Sequence, residues 1–301
     1  MTRHPLRRLR RARRAVVVRR RRLPYSVWRR ASARLDCLHH LGPQERLRLR
    51  LLSGDFLAEK RFTAIDPLEL SDTIRAVIAI QACLLILELG LDWYRGWREI
   101  IVYPDSFLVD VTVTDEAGVE HHWREARGGE AWGAGPVILS WRDARPGVHP
   151  HGPGSNVVIH EFAHKLDWLD GQADGRPPLH ADMDPTAWHD AFQAAYDDLR
   201  RREAHHHRTP IDPYAATAPG EFFAVVSEVF FERPGLLARA YPAVYRQLAA
   251  FYRQDPLLAL KQRHATAEKG RGAPQRKTIH HAQRPPCPAR RPAARRLQHE
   301  H

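Results

Sequence analysis

Residues 156–171 read NVVIHEFAHKLDWLDG and carry the clearest pattern in this chain of 301 residues. Apolar side chains surround the polar ones so closely that the segment predicts a helix over Asn156–Leu169, buried on most of its sides. His160 and His164 are four residues apart, so they point the same way, one helical turn from each other. Burying these imidazoles and the Glu161 carboxylate without partners would be costly, so the segment indicates a built polar site.

The five residues from His160 to His164 spell H-E-x-x-H. Two neutral imidazoles at this spacing can occupy two corners of a zinc tetrahedron. Glu161 lies about 100° around the helix from His160, beside the metal position, which suits a general base acting on a water molecule. A chain with 19 histidines can contain this pattern by accident, but the apolar flanks favour a metal site. We therefore predict one Zn²⁺ per chain.

The third metal ligand has two candidates. In the metzincin pattern it follows the second histidine by six residues, where this chain has Asp170, and a glycine stands where this chain has Asp167. The other candidate is a carboxylate on a later helix, as in the glutamate zincins, here predicted over Glu221–Glu232. Glu221 and Glu228 are seven residues apart and share one face of that helix. We prefer Glu221 as the ligand and Glu228 as the partner that orients a ligand histidine.

Two nearby features stay open on the residues alone. Tyr214, in IDPYAATAPGE, stands seven residues before Glu221 and could donate a hydrogen bond to an oxyanion or only pack its loop. Residues 135–141, GPVILSW, could form an edge strand along which a peptide adds, or an ordinary interior strand.

The order of predicted elements indicates an α+β fold. Short β-rich runs lie between Trp97 and Trp141. Helices are predicted before them, over Gly42–Phe56 and Ser71–Leu91, and after them, over Thr186–Arg202 as well as the two segments above. We expect a helical N-terminal part, a small mixed sheet and a helical C-terminal part.

Charge divides the chain into three parts. The formal net charge is +12, but residues 1–22 contain 11 arginines and no acid, and residues 261–301 are rich in Pro, Arg and His. Because the two ends together carry +20 of that total, residues 23–260 carry −8. We predict disordered basic tails at 1–22 and 261–301 around one domain at 23–260. Nucleic-acid binding is then expected only weakly, through the tails.

Cysteine usage and hydropathy bear on the compartment. Three cysteines with no C-x-x-C pair argue against a disulfide framework and are typical of a reducing cytoplasm. The longest apolar stretch, Ala76–Leu91, contains Gln81 and Glu88 and falls short of a membrane span. We expect a cytoplasmic protein with no membrane partner.

Several blocks, in order between about Leu23 and Leu257, resemble the Mlc titration factor A family of zinc peptidases. They are FLAEKRF, IAIQACLLILELGLDWY, VYPDSF, GEAW, GPVILSW, NVVIHEFAHKLD, IDPYAATAPGEFFAVVSEVFFERP and FYRQDPL. The resemblance implies a zincin-like metallopeptidase domain of the glutamate-zincin type. It also implies hydrolysis of peptide bonds in the cytoplasm, chiefly aminopeptidase-like on small substrates.

The resemblance further implies roles for particular residues. His160, His164 and Glu221 would be the zinc ligands, Glu161 the general base, and Tyr214 a tyrosine near the metal. A transcription repressor of the Mlc type is implied as a partner, with an influence on sugar uptake. Independently of the resemblance, acidic side chains around the end of the predicted metal helix are expected at the rim of the cleft, where they would favour a substrate amine: Asp167, Asp170 and Asp174.

Overall fold

The computed structural model describes residues 23–114, 120–127, 129–131 and 135–271. The predicted N-terminal tail and most of the predicted C-terminal tail fall outside these residues. The chain divides into two units at Arg263, and the first unit contains the sheets and the metal-binding candidates discussed below.

Helices account for most of the described elements, and many begin with proline in the first turn, where its missing N–H is not needed. Their bounds are α1 Tyr25–Ser32, α2 Pro43–Glu59, α3 Asp72–Leu85, α4 Trp141–Ala144, α5 Val157–Asp167, α6 Pro185–Ala204, α7 Pro219–Glu232, α8 Pro234–Ala240, α9 Pro242–Tyr252 and α10 Pro256–Arg271. Short 3₁₀ turns connect some of them, among them Leu91–Tyr94, Trp168–Asp170 and Pro213–Ala216.

The strands form two sheets. Their bounds are β1 Arg61–Ala64, β2 Glu99–Tyr103, β3 Phe107–Thr114, β4 Glu120–Arg127, β5 Gly129–Ala131 and β6 Val137–Ser140. The larger sheet has the order β1-β2-β6-β5, in which β1, β2 and β6 are parallel and β5 runs antiparallel to β6. β3 and β4 form a separate antiparallel pair. The GPVILSW segment is therefore an interior strand, and β5 is the edge strand beside it.

Helical parts before and after a mixed sheet are confirmed, but β1 lies between α2 and α3, outside the Trp97–Trp141 region where the sequence predicts strands. Element bounds differ in places: the helix predicted over Ser71–Leu91 ends at Leu85. Gly90 then adopts a φ of 88°, outside the right-handed helical region, and the short turn Leu91–Tyr94 follows. Helix α10 continues to Arg271, beyond the predicted domain boundary at residue 260.

The apolar stretch beginning at Ala76 forms the middle of the core. Every residue of α3 from Ala76 to Leu85 is buried, and α3 packs against α1, α2 and α5. None of the helices in the described residues combines the length and the apolar character that crossing a bilayer requires.

An aromatic cluster supports the face of α5 that is turned towards the core. Phe162 is fully buried, and its ring centroid lies 5.8 Å from Phe56, 5.3 Å from Tyr94 and 5.8 Å from Trp97. These rings join α5 to α2 and to the segment that leads into β2. The position of α5 over the sheet therefore depends on this packing.

Replacing Phe162 by alanine should lower the free energy of unfolding by about 3–5 kcal/mol, because it removes a fully buried ring from a packed cluster. Denaturant unfolding followed by circular dichroism measures the change. Leu47→Ala is the control, since Leu47 is 54% exposed, and we expect it to change stability by less than about 0.5 kcal/mol. A Phe162→Ala loss as small as that of the control would contradict the assigned role of the cluster.

Candidate metal centre

Helices α5 and α7 pack against each other and carry the polar side chains of the candidate site. Asn156 caps α5, since its Oδ1 accepts a hydrogen bond from the backbone N–H of Ile159 at 3.1 Å. His160 and His164 follow on consecutive turns. Glu221 lies in the first turn of α7, directly after the prolyl start of that helix.

The three predicted ligand side chains converge. Nε2 of His160 lies 3.0 Å from Oε2 of Glu221 and 3.2 Å from Nε2 of His164. Nε2 of His164 lies 3.4 Å from the same Glu221 oxygen. In the described part of the chain, these side chains form the one group of His, Cys, Asp and Glu able to hold a metal ion.

These spacings fit a tetrahedral zinc site. Zinc bound to nitrogen and oxygen at about 2.0–2.1 Å would place neighbouring ligand atoms about 3.3 Å apart. The three observed separations lie between 3.0 and 3.4 Å. Two imidazoles and one carboxylate, with one tetrahedral position left over, are also the donor set of catalytic rather than structural zinc sites.

Glu228 holds His160 from the opposite side of the ring. Nδ1 of His160 donates to Oε1 of Glu228 at 2.7 Å. This hydrogen bond fixes the ring orientation and leaves Nε2 facing His164 and Glu221. The structure thus separates the two glutamates of α7, with Glu221 among the converging ligand atoms and Glu228 behind the first histidine.

The charges of this cluster are strongly coupled. Burial lowers the pKa of His160, but hydrogen bonds to the carboxylates of Glu221 and Glu228 outweigh it and raise the pKa well above its ordinary value. Burial raises the pKa of Glu221, but hydrogen bonds with His160 and His164 outweigh it and hold that pKa well below its usual range. The cluster therefore keeps Glu221 ionised.

Glu161 lies beside the predicted ligands and under the edge strand β5. It is 4% exposed, and burial raises its pKa to about 7. A Cβ atom built on Gly129 would overlap Oε1 of Glu161 and would lie 2.5 Å from its Cγ and 2.7 Å from its Cδ. Only glycine at this position lets the strand pass so close to the carboxylate.

A lysine one turn after Glu161 connects α5 to the segment that leads into β6. Lys165 is buried, its Nζ donates to the carbonyl oxygen of Gly135 at 2.7 Å, and it lies 4.9 Å from the ring centroid of Trp97. Burial lowers the pKa of Lys165 to about 8. Because Gly135 leads into β6, and β6 pairs with β5, this contact helps to set β5 over Glu161.

Tyr214 lies near the predicted ligand His160, in the 3₁₀ turn Pro213–Ala216. Asp212 caps that turn, since its Oδ1 accepts from the Tyr214 N–H at 2.9 Å. The Tyr214 ring centroid is 6.2 Å from that of His160 and 6.4 Å from that of His151, to which it is almost parallel. The structure therefore brings Tyr214 next to a predicted ligand.

Asp167 does not lie at the rim of a cleft, where we expected it. Its side chain is fully buried, and Oδ2 accepts from the N–H of Gly175 at 2.9 Å. The same oxygen would lie 3.3 Å from a Cβ on Gly220, so Asp167 fastens the loop after α5 to the start of α7. Asp170 and Asp174 are exposed, and neither belongs to the converging group.

Sequence reasoning did not single out four residues that shape the site. They are Gln81, Gly129, Asn156 and Glu232. Of these, only Asn156 gives a recognisable local signal, as an N-cap residue directly before the metal helix. The close approach of Gly129 and the contacts of Gln81 and Glu232 join distant parts of the chain.

Residues 6–253 match the sequence model of a family described as glucose-regulated metallo-peptidase M90. The chain belongs to this family. The M90 match begins inside the predicted N-terminal tail and ends before the predicted C-terminal tail.

Curated relatives from enteric bacteria carry the name Mlc titration factor A. The chain is 38% identical over 237 residues to the protein of Klebsiella pneumoniae strain 342, which covers 78% of this chain and 88% of the relative. It is 38% identical over 237 residues to the protein of Salmonella arizonae, and this alignment covers 78% of this chain and 93% of that relative. For Cronobacter sakazakii the identity is 37% over 239 residues, covering 79% and 89%. The resemblance of the sequence blocks to the Mlc titration factor A family is thus confirmed, and this chain is metallopeptidase-like.

Metal binding should release about one proton per chain near pH 7. The raised pKa of His160 means that, without metal, its imidazole is protonated there, and the Nε2 proton must leave before that nitrogen can coordinate. Affinity should therefore rise with pH through the neutral range, by about tenfold per unit for each proton displaced. Titration calorimetry in buffers of different ionisation enthalpy measures the release.

The matched control for this titration is Glu228→Gln, which removes one of the carboxylates that raise the pKa of His160. We expect a smaller proton release from this variant. A zinc affinity that does not change between about pH 6 and pH 8 would contradict the coupling.

Proposed function

We propose that this chain is a zinc-dependent metallopeptidase that hydrolyses peptide bonds, with aminopeptidase-like action on small peptides. One observation carries the proposal. Nε2 of His160, Nε2 of His164 and Oε2 of Glu221 lie 3.0–3.4 Å apart, with the buried Glu161 carboxylate beside them. Membership of a metallopeptidase family supports it.

His160, His164 and Glu221 would hold the metal, one Zn²⁺ per chain. A bound zinc ion would supply a water molecule of lowered pKa and would polarise the carbonyl of the substrate. Glu221 stays ionised in this environment and so contributes a negative charge to the site.

Glu161 would act as the general base and then as the general acid. Its carboxylate accepts a proton from the attacking water and passes it to the amine that leaves. Burial raises the pKa of Glu161 to about 7 in the metal-free protein, and a bound cation nearby would lower it, which would keep the carboxylate ionised as a base must be. Tyr214, whose ring is near His160, would donate its O–H to the oxyanion that forms.

An extended peptide would pair with β5. This strand has a hydrogen-bonded neighbour on one side only in the sheet order β1-β2-β6-β5, and an edge strand can accept a peptide as an additional strand. Gly129, which lies against Glu161, belongs to it.

Cys37 and Cys83 are buried free thiols, which supports a cytoplasmic location.

Glu161→Gln should retain zinc and lose hydrolysis by several orders of magnitude, since the amide cannot accept the proton of water. Metal analysis and a peptide-library digest, run on wild type and variant together, test both parts. Fewer than about one zinc per wild-type chain, or a variant as active as wild type, would overturn the proposal.

Gly129→Ala should lower kcat by about 100-fold or more, because the added methyl group displaces the Glu161 carboxylate while leaving the metal ligands in place. We expect the zinc dissociation constant to change little. Gly235→Ala is the control, since its added Cβ would meet nothing nearer than Nη1 of Arg239 at 3.5 Å. Equal kcat values for Gly129→Ala and wild type would show that the strand does not set the position of Glu161.

The name of the relatives, Mlc titration factor A, suggests a second function. In this function the chain would bind a transcription repressor and so influence sugar uptake. Binding of an Mlc-type repressor by this chain would not require hydrolysis. The Glu161→Gln variant separates the two roles in cells. If the effect on sugar-transport genes disappears with hydrolysis, catalysis is primary, and if it survives, repressor binding is primary.

A further inference from the structure

Asn156 joins three helices at the entrance to the metal helix. Its Oδ1 accepts from the N–H of Ile159 at 3.1 Å, as the cap of α5. Its Nδ2 donates to Oε1 of Gln81 on α3 at 2.7 Å and to Oε1 of Glu232 on α7 at 2.7 Å. Asn156 is buried, with 8% of its surface exposed, and both polar atoms of its side chain form hydrogen bonds.

The backbone of Asn156 completes the arrangement. Its N–H donates to Oε2 of Glu228, the carboxylate whose Oε1 accepts from Nδ1 of His160. Both oxygens of Glu228 are thus held, one by the residue that caps α5 and one by a predicted ligand on the same helix. Rotation of this carboxylate would break one of the two hydrogen bonds.

The contacts of Gln81 determine which partner donates in its hydrogen bond with Asn156. Its Nε2 donates to the carbonyl oxygen of Val77 at 3.2 Å, so its Oε1 faces Asn156. Glu232 also presents an oxygen, because a carboxylate is an acceptor. Residue 156 must therefore supply two side-chain donors as well as the acceptor that caps the helix, and asparagine has this combination.

We propose that Asn156 is a positioning residue of the metal centre, which holds Glu228 in the orientation that directs Nε2 of His160 towards the metal. The side-chain amide fixes the start of α5 against α3 and α7, and the backbone N–H then fixes Glu228. Asn156 does not touch the metal or the reacting atoms. The inference rests on the proposed metal site and adds a residue that sets its geometry.

The test uses Asn156→Asp in the full chain. Aspartate has the same shape and also caps helices, but it offers oxygen where Gln81 and Glu232 need a donor. We expect the zinc dissociation constant to increase about 10- to 100-fold, as when other outer partners of metal ligands are removed. Competition with a chromophoric chelator measures it, and the visible spectrum of the cobalt-substituted protein reports the geometry.

The double variant Asn156→Asp, Glu232→Gln distinguishes positioning from general damage. The new glutamine amide can donate to the aspartate, so the hydrogen bond is restored with its direction reversed. We expect the double variant to recover most of the lost affinity, whereas independent defects would add. Asp184→Ala is the control for loss of a helix cap, because Asp184 caps α6, and it should leave metal affinity unchanged.

A second readout needs no metal. In the metal-free wild type, the Nδ1 proton of His160 should give a protected, low-field NMR resonance, because Glu228 accepts it in either protonation state of the ring. Asn156→Asp should weaken or remove this resonance, and the double variant should restore it. A resonance and affinity equal to wild type in Asn156→Asp, or additive losses in the double variant, would overturn the inference.

The two proposals fail in different ways. If wild type binds no zinc, the proposed function is wrong, and the NMR resonance still decides whether Asn156 positions Glu228 and His160. If wild type binds zinc and Asn156→Asp binds it equally well with an unchanged resonance, the metal site stands and the role of Asn156 is wrong.

Discussion

The hydrogen bond from Nδ1 of His160 to Oε1 of Glu228 is the interaction on which the site depends. It joins the two helices that supply the predicted ligands, and it selects the ring nitrogen that faces the other ligand atoms. Both partners are largely buried, with side-chain exposures of 14% and 6%. A buried imidazole with no acceptor, or a buried carboxylate with no donor, would destabilise the core of α5 and α7.

The same constraint explains why the cluster suits a cation. Glu161, Glu221 and Glu228 place three carboxyl groups around two imidazoles, and all five side chains are buried or partly buried. In the metal-free protein, hydrogen bonds with the carboxylates raise the pKa of His160 and hydrogen bonds with the histidines lower that of Glu221, whereas burial raises the pKa of Glu161. A divalent cation bound to His160, His164 and Glu221 would also balance this negative charge, so metal binding and stability of the folded state should be linked.

The rest of the fold holds this pair of helices in place. The Phe162 cluster packs under α5, Lys165 connects α5 to the strand that pairs with β5, and Asp167 fastens the following loop to α7. Phe162 and Lys165 lie three residues apart on one side of this short helix, where both contact Trp97, and Asp167 holds its C-terminal end. The helix therefore has little freedom to rotate, and rotation would separate His160 and His164 from Glu221.

The sequence by itself determined what depends on local spacing. Helical periodicity placed His160 and His164 on one face of a buried helix, and strand periodicity located the strands after Trp97, although not β1. Glu221 was preferred as the third metal ligand because it lies on a later predicted helix and because the chain resembles a known family. Only the tertiary structure decided that Asp167 is buried, that β5 crosses Glu161 at Gly129, and that Asn156 reaches Gln81 and Glu232. These contacts join segments far apart in the chain, and no local periodicity records which distant side chains a fold brings together.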